Sequence, residues 1–533
     1  MAYLNINKPM TSKFRLITKT TFITISLLFI CIFHAKAEQP ARNYVSYGSH
    51  GAVSCGNPLA ANAAINILKN GGNAVDAAVA AGFTLGVVDF TNSGLGGEGF
   101  ALICNSDGKA IAIDGSTKRP VGQVKNQYDC PISLPAIPEM LLKMQRLYGK
   151  IPLSTIISPA IELSNNGFEV SEYIAGIISN RLHNIKDMAA RELLAPNGIP
   201  LKANQLLKQP KLAQTLRTLA KDNGVSFYYG EQADKTLADM RSKGAFYTKY
   251  DFMNYRSKLC KPISLALNDK VILGNPFPSC SPVTIKLTEE LVLQNISAFP
   301  KTEAEYLKIA GIYRKHLNRK YYDSARFINN SQSYLSEAFE EYASEASDAN
   351  DSNTTHLCVW DKDNLVVSMT LTLGNHFGSG QLAPGGFFYA NNLRTYSSKI
   401  VSYPKFYPKD AGSITSKSPI IVTKDNKPWL AIGGAGADRI ITNTATVLAN
   451  VLRGYDISEC LQYPRIFMDY YLDLYIEGSP EQKSRIEIDI KKAKAVYKPY
   501  LDDYFGLLSA IQKENNILKA VGDKRRDGSC ESY

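Results

Sequence analysis

Residues 352 to 363 read S-N-T-T-H-L-C-V-W-D-K-D, and they follow a stretch from Ser331 to Asn353 that holds six acids and no base. The acidic run has the composition of a solvated tether. Thr355 to Asp361 and Leu365 to Leu373 have the β-branched, alternating character of paired strands, with Lys362-Asp363-Asn364 as the turn. In such a hairpin opposed positions sum to 726, so Val359 faces Val367 and Thr354 faces Thr372. Two hydroxyls then meet across neighbouring strands. From spacing alone a Thr–Thr cross-strand pair is the simpler reading, since such pairs are a common sheet device. A chemical reading needs cleavage between Asn353 and Thr354, because a threonine at a chain start carries its own amine, with a pKa near neutrality, beside its hydroxyl. Acyl transfer would also need an oxyanion hole. Gly433-Gly434-Ala435-Gly436-Ala437, after the apolar strand Trp429 to Ile432, offers open backbone N–H groups or a plain turn.

Outward from the hairpin, the remainder reads as a layered protein. Asn57 caps a helix with Pro58 at its first position, Gly71-Gly72 ends it, and Asn73 caps an alanine-rich helix running to Val88. The small side chains imply tight packing on a sheet. S-G-L-G-G-E-G-F (93 to 100) precedes two strand-like runs, Phe100 to Cys104 and Ala110 to Ile113. Residues 137 to 250 alternate amphipathic helices with Gly- and Pro-punctuated loops, for example Lys211 to Lys221. A further apolar run spans Leu430 to Ile441. Helices outside a layered sheet fit this order.

Other chemistries find little support. Gly94-x-Gly96-x-x-Gly99 has dinucleotide spacing but follows a helix and precedes a strand, the reverse of what a pyrophosphate site needs, so it reads as a turn allowing close backbone approach. Histidines 50, 183, 316, 356 and 376 lack metal-ligand spacing, and no Gly-x-Ser-x-Gly elbow supports a serine triad. No cofactor is expected. The chain has 533 residues, net charge +11 and nine cysteines. Its first 37 residues carry five of the positive charges, a short apolar run from Phe22 to Phe33, and Ala35-Lys36-Ala37. That is signal-peptide grammar, with cleavage expected after Ala37 and a periplasmic or secreted product. The balance left beyond the leader is mild and scattered, unlike a nucleic-acid footprint. Without a Cys-x-x-Cys pair, no zinc or redox motif is legible and no disulfide pairing can be deduced.

Taken together, N-P-L-A-A-N-A-A-I-N-I-L-K-N-G-G-N-A-V-D-A-A-V-A-A (57 to 81), S-G-L-G-G-E-G-F, T-L-R-T-L-A-K-D-N-G-V-S-F-Y-Y-G (215 to 230), N-P-F-P-S-C-S-P-V-T (275 to 284), T-T-H-L-C-V-W-D-K-D and G-D-K-R-R-D-G (522 to 528) resemble the γ-glutamyltransferase family. The resemblance spans nearly the whole chain after the leader. It implies an α+β, four-layer αββα fold of the N-terminal-nucleophile hydrolase type, with a signal peptide 1–37, a large subunit 38–353 and a small catalytic subunit 354–533 made by self-cleavage. It further implies that Thr354 is the processing residue and nucleophile, that Thr372 orients it, and that Gly436 and Ala437 form the oxyanion hole. Thr415 and Ser416 fall where the family's serine pair holds the glutamyl α-carboxylate.

Several recognition positions depart from the family. Its Asp-x-Arg-Glu is here Asp114-Gly115-Ser116-Thr117, leaving Lys118 and Arg119 as the nearest cations. The asparagine two residues after the orienting threonine is Gly374, with Asn375 one residue late. Its Asn-Asn-Gln/Glu-x-x-Asp is Asn391-Asn392-Leu393-Arg394-Thr395-Tyr396, without the two polar partners of an α-ammonium, and the segment from Tyr396 to Thr415 is short for a lid. A buried ammonium without acceptors is costly. The expected activity is transfer or hydrolysis of γ-glutamyl amides such as glutathione, with water or an amine as acceptor. Two alternatives stand beside it: an acylase for another acyl group, for instance a glutaryl-type one read by Arg119 or Arg394, and a processed but idle binding protein.

Overall fold

A computed structural model describes residues 42–121, 132–296, 300, 302–337, 353–393, 411–469, 473–478 and 495–533. The leader, most of the acidic stretch and Arg394 to Tyr396 lie outside the described residues.

Two seven-stranded sheets face each other. In spatial order the first comprises Val45–Gly48, Ile517–Gly522, Leu507–Glu514, Lys427–Ala435, Ile420–Lys424, Lys270–Gly274 and Ile263–Leu267. The second comprises Ser529–Ser532, Ala52–Cys55, Thr355–Trp360, Val366–Thr372, Glu98–Cys104, Ala110–Gly115 and Lys258–Cys260. All their pairings are antiparallel. Both sheets therefore draw strands from before and after Thr354.

Alternation along the strands separates three apolar layers. Leu102, Cys358, Trp360, Ile421 and Ile511 fill the gap between the sheets. Leu357, Val359, Val367 and Met369 point the other way, under Pro58–Lys69, Ala74–Val88 and Ile137–Tyr148. Ile432, Leu508 and Val521 face Ser281–Leu293, Glu303–Arg326 and Arg439–Leu452 on the far side. Helix, sheet, sheet, helix is the four-layer αββα order.

The local signals explain the elements. Asn57 Oδ1 accepts from Leu59 N at 2.9 Å, and Asn73 with Asp76 forms a reciprocal cap at the next helix. All fifteen residues of Ala74–Val88 are buried, which small side chains permit. The hairpin of Thr355–Trp360 and Val366–Thr372 keeps the expected register, Val359 opposite Val367. Asp361 Oδ1 accepts from Asp363 N (2.9 Å) and Leu365 N (3.0 Å) at its turn, and Asp361 Oδ2 accepts from Ala74 N at 2.8 Å. One carboxylate thus ties the hairpin to a helix N-terminus.

Two expectations are revised. The tether does not begin at Ser331: Ser331–Tyr334 is a helical turn whose buried Tyr334 packs edge-on to Phe277 and Phe327, at ring-centroid distances of 5.4 and 5.6 Å. Average composition hid that aromatic anchor. The apolar run from Leu430 to Ile441 is a strand to Ala435 and a helix from Arg439, broken by Gly436 and Ala437 at φ 129° and 53°. Seven described cysteines are free thiols, and no described helix is long and apolar enough to cross a membrane.

Candidate active site

Extending the hairpin register one residue past Thr355 brings Thr354 to Thr372, and the hydroxyls meet there. Thr354 Oγ1 donates to Thr372 Oγ1 at 3.0 Å, and the same Thr372 oxygen accepts from Gly374 N at 3.0 Å. Thr354 is 5% exposed and Asn353 2% exposed, so the junction is buried inside the sandwich edge.

The backbone at this junction is unusual. Thr354 has φ 102°, a region that costs a β-branched residue about 1–3 kcal/mol. That dihedral turns about the bond from Thr354 N, the atom shared with the Asn353 peptide. Cutting the peptide would free the nitrogen from the constraint.

Gly436 supplies the complementary electrostatics. Its N–H donates to Asn353 O at 3.1 Å, and that oxygen is the carbonyl of the Asn353–Thr354 bond. Gly433 and Gly434, also considered from sequence, lie in the strand ladder opposite Ser509 and Leu508. Gly433 is required for another reason: a Cβ there would lie 2.3–2.8 Å from three ring atoms of His356. His356 is fully buried, and burial holds its pKa down to about 3, so the imidazole is neutral. Its Nδ1 pairs with Thr370 Oγ1 at 2.8 Å. His356 therefore supports the strand at a distance from the hydroxyl pair.

On the opposite side of the junction, Arg526 Nη1 donates to Thr354 O at 3.3 Å. Arg526 belongs to the G-D-K-R-R-D-G stretch, whose Asp523 and Arg525 are buried in a network with Glu477 and Arg465. Asp89, close to this group, is fully buried, and burial raises its pKa to about 7 against the opposing bond from Asn92 Nδ2 at 2.6 Å. Neither Asp89 nor Arg526 was singled out from sequence. An isolated acid at a helix end carries no periodic signal.

The recognition positions are placed less uniformly. Ser416 Oγ donates to Asp438, which also pairs with the buried Lys320, so this hydroxyl is engaged with the far helix layer. Thr415 is half-buried, and its N–H donates to Pro278 O at 3.2 Å. Arg119 is half-buried in a segment held by Tyr247, whose hydroxyl donates to Lys118 O at 2.7 Å, and by Asp251, which accepts from Val121 N at 2.9 Å. Arg394 lies outside the described residues.

One pair went unnoticed in the sequence. Glu98 stands directly opposite Thr372 on the adjacent strand, and Lys417 Nζ donates to Glu98 Oε1 at 2.6 Å with both side chains buried. The two are 319 positions apart, beyond any local pattern.

Four layers with a threonine at the head of an inner strand define an N-terminal-nucleophile hydrolase fold. The family model for gamma-glutamyltranspeptidase matches residues 60–310 and 301–533, and the chain belongs to that family. A glutathione hydrolase proenzyme of Pseudomonas sp. (strain A14) is 27% identical over 82% of this chain and 84% of its own length. Glutathione hydrolase 2 of Arabidopsis thaliana is 28% identical over 96% and 98%. The capsule biosynthesis protein CapD proenzyme of Bacillus anthracis is 28% identical over 94% and 95%. Among solved structures, a cephalosporin acylase from Bacillus halodurans superposes with a TM-score of 0.79 over 94% of this chain and 98% of its own, at 23% identity, a likeness of fold.

Proposed function

We propose that the chain is an exported, self-processing N-terminal-threonine amidohydrolase that transfers or hydrolyses γ-glutamyl amides, glutathione among them. The observation that carries this is the convergence on one peptide bond of a buried hydroxyl, a strained φ and an N–H donor on the carbonyl oxygen. Thr354 Oγ attacks the Asn353 carbonyl carbon while Gly436 N–H holds the developing oxyanion. The C–N bond breaks, the nitrogen takes a proton to become the Thr354 amine, and an ester links Asn353 to the Thr354 oxygen. Water opens the ester, releasing a carboxylate on Asn353 and restoring the hydroxyl. Chains ending at Asn353 and starting at Thr354 result, matching the proenzyme names of the relatives.

In turnover the freed amine takes the hydroxyl proton as Thr354 Oγ attacks the substrate amide, and it returns a proton to the departing amine. Thr372 holds the nucleophile, Gly436 and Ala437 receive the oxyanion, and the acyl-enzyme passes to water or an acceptor amine. Thr415, Ser416 and Arg119 are the proposed contacts to a substrate carboxylate. Thr354→Ala is expected to leave one uncut chain with no turnover of a γ-glutamyl anilide. Normal cutting in that variant would refute the nucleophile assignment.

A second reading, an acylase for a different acyl group, is favoured by one observation. Leu393 occupies an expected ammonium-binding position, and the Asn391 carboxamide oxygen is already engaged by Asn375 N at 2.9 Å.

A further inference from the structure

Arg526 reaches the backbone of Thr354 itself. Its Nη1 donates to Thr354 O at 3.3 Å, both residues are 5% exposed, and the guanidinium lies over the Tyr173 ring, 5.6 Å from its centroid. A single carbonyl group separates this charge from Thr354 N, a span on the order of 4–7 Å. At that range a buried cation disfavours a second positive charge.

The groups around Arg526 leave its charge largely uncancelled. Asp89 is buried at the C-terminal end of the helix Ala74–Val88, where the helix dipole opposes a negative charge. Burial raises its pKa to about 7, so below that pH the carboxyl is mostly neutral. Cys55 and Tyr173, which also face Asp89, are raised by burial and stay neutral as well. Asp527 is committed to Arg42 at 2.7 Å and to the Ser171 hydroxyl. Arg439, fully buried at the head of its helix, adds a like charge within range of Arg526.

Self-cleavage as proposed creates an amine on Thr354 and a carboxylate on Asn353 in one place. Left to each other, the two would settle as an ammonium–carboxylate pair, and an ammonium cannot take the hydroxyl proton. A fixed cation beside the amine opposes that pairing.

We propose that Arg526 is a positioning residue for turnover, holding the Thr354 carbonyl and keeping the freed Thr354 amine uncharged near neutral pH so that it can accept the hydroxyl proton. That proton moves from Thr354 Oγ to the amine and on to the departing group, and Arg526 keeps its own protons throughout. This deepens the amidohydrolase reading above and rests on it.

The test titrates the amine in the mature protein. Competitive acetylation with acetic anhydride is run between about pH 5 and 9, and the peptide beginning at Thr354 is quantified by mass spectrometry. The wild-type midpoint is expected about one pH unit below the roughly 7.7–8.0 of an ordinary α-amine. Arg526→Gln keeps an N–H donor for Thr354 O and removes the charge. It is expected to raise the midpoint, and the acid limb of kcat/KM for a γ-glutamyl anilide, by about one pH unit, whereas Arg526→Lys should stay within about 0.3. A purely structural role would lower kcat at every pH and leave the midpoint in place. A wild-type midpoint at the ordinary value, or an unmoved midpoint in Arg526→Gln, overturns the proposal. Should Arg526→Gln not fold, Arg526→Met takes its place with the same expected shift. Absence of any wild-type peptide beginning at Thr354 would instead refute self-cleavage, a result distinct from a misplaced midpoint.

Discussion

Replacing Thr372 with valine keeps the volume and removes a single oxygen. That oxygen accepts from both the Thr354 hydroxyl and Gly374 N, each at 3.0 Å, in a site where Thr354 is 5% and Thr372 4% exposed. Leaving two buried donors unmatched costs about 1–3 kcal/mol each. The Gly374 share destabilises the fold. On the proposed mechanism the Thr354 share acts on the reaction, because the hydroxyl loses the partner that holds it. Taking about 1.4–2.8 kcal/mol for that share slows self-cleavage roughly 10- to 100-fold. The assay is a denaturing gel of freshly purified precursor, following one band into two over time. Thr372→Ser, which restores the oxygen, should process within about threefold of the wild type. Processing of Thr372→Val at the wild-type rate, or equal slowing by Thr372→Ser, would refute the positioning role.

Gly433→Ala should lower stability by about 1–3 kcal/mol, seen as a reduced urea midpoint, because the new methyl meets the His356 ring at 2.3–2.8 Å; an unchanged midpoint would show the imidazole free to retreat. Asp89 sets a pH dependence. Its folded pKa of about 7 exceeds the unfolded value of about 3.9, so its contribution is fully present below about pH 4 and is lost as pH rises to about 7. Asp89→Asn should flatten that part of a stability-against-pH curve, and an unaltered slope would assign it to other groups. Arg525→Met should cost about 3–5 kcal/mol in chemical denaturation, since Glu477 is left buried without the cation now 2.6 Å away. A loss below about 1 kcal/mol would mean Arg465 takes over.

Much of the centre was legible because it is local. The Thr354–Thr372 pairing follows from counting residues through a short turn, and the hairpin obeys that count since Asp361 binds the turn backbone at two points. The helix starts at Pro58 and Ala74 were legible for the same reason, each announced by an asparagine whose side chain is within reach of its own helix. What escaped is non-local. Lys417 with Glu98, Arg526 with Thr354, and Lys320 with Asp438 join positions that only the closed sandwich brings together. The glycine run after Ile432 shows the intermediate case. Small residues flagged the region, but whether each serves a ladder, a ring or an open N–H depends on the facing sheet.

Strands from both sides of Thr354 pair with one another in each sheet: Lys270–Gly274 pairs with Ile420–Lys424, and Ala52–Cys55 lies between Ser529–Ser532 and Thr355–Trp360. Folding as one polypeptide makes these pairings first order, independent of concentration. Expressed as two separate genes, the same halves would have to meet by collision, each presenting unpaired strand edges that also attract copies of themselves. A single chain thus acts as its own assembly template, and a product cut at the proposed Asn353–Thr354 junction would inherit an arrangement that two independent chains would reach slowly and in competition with aggregation.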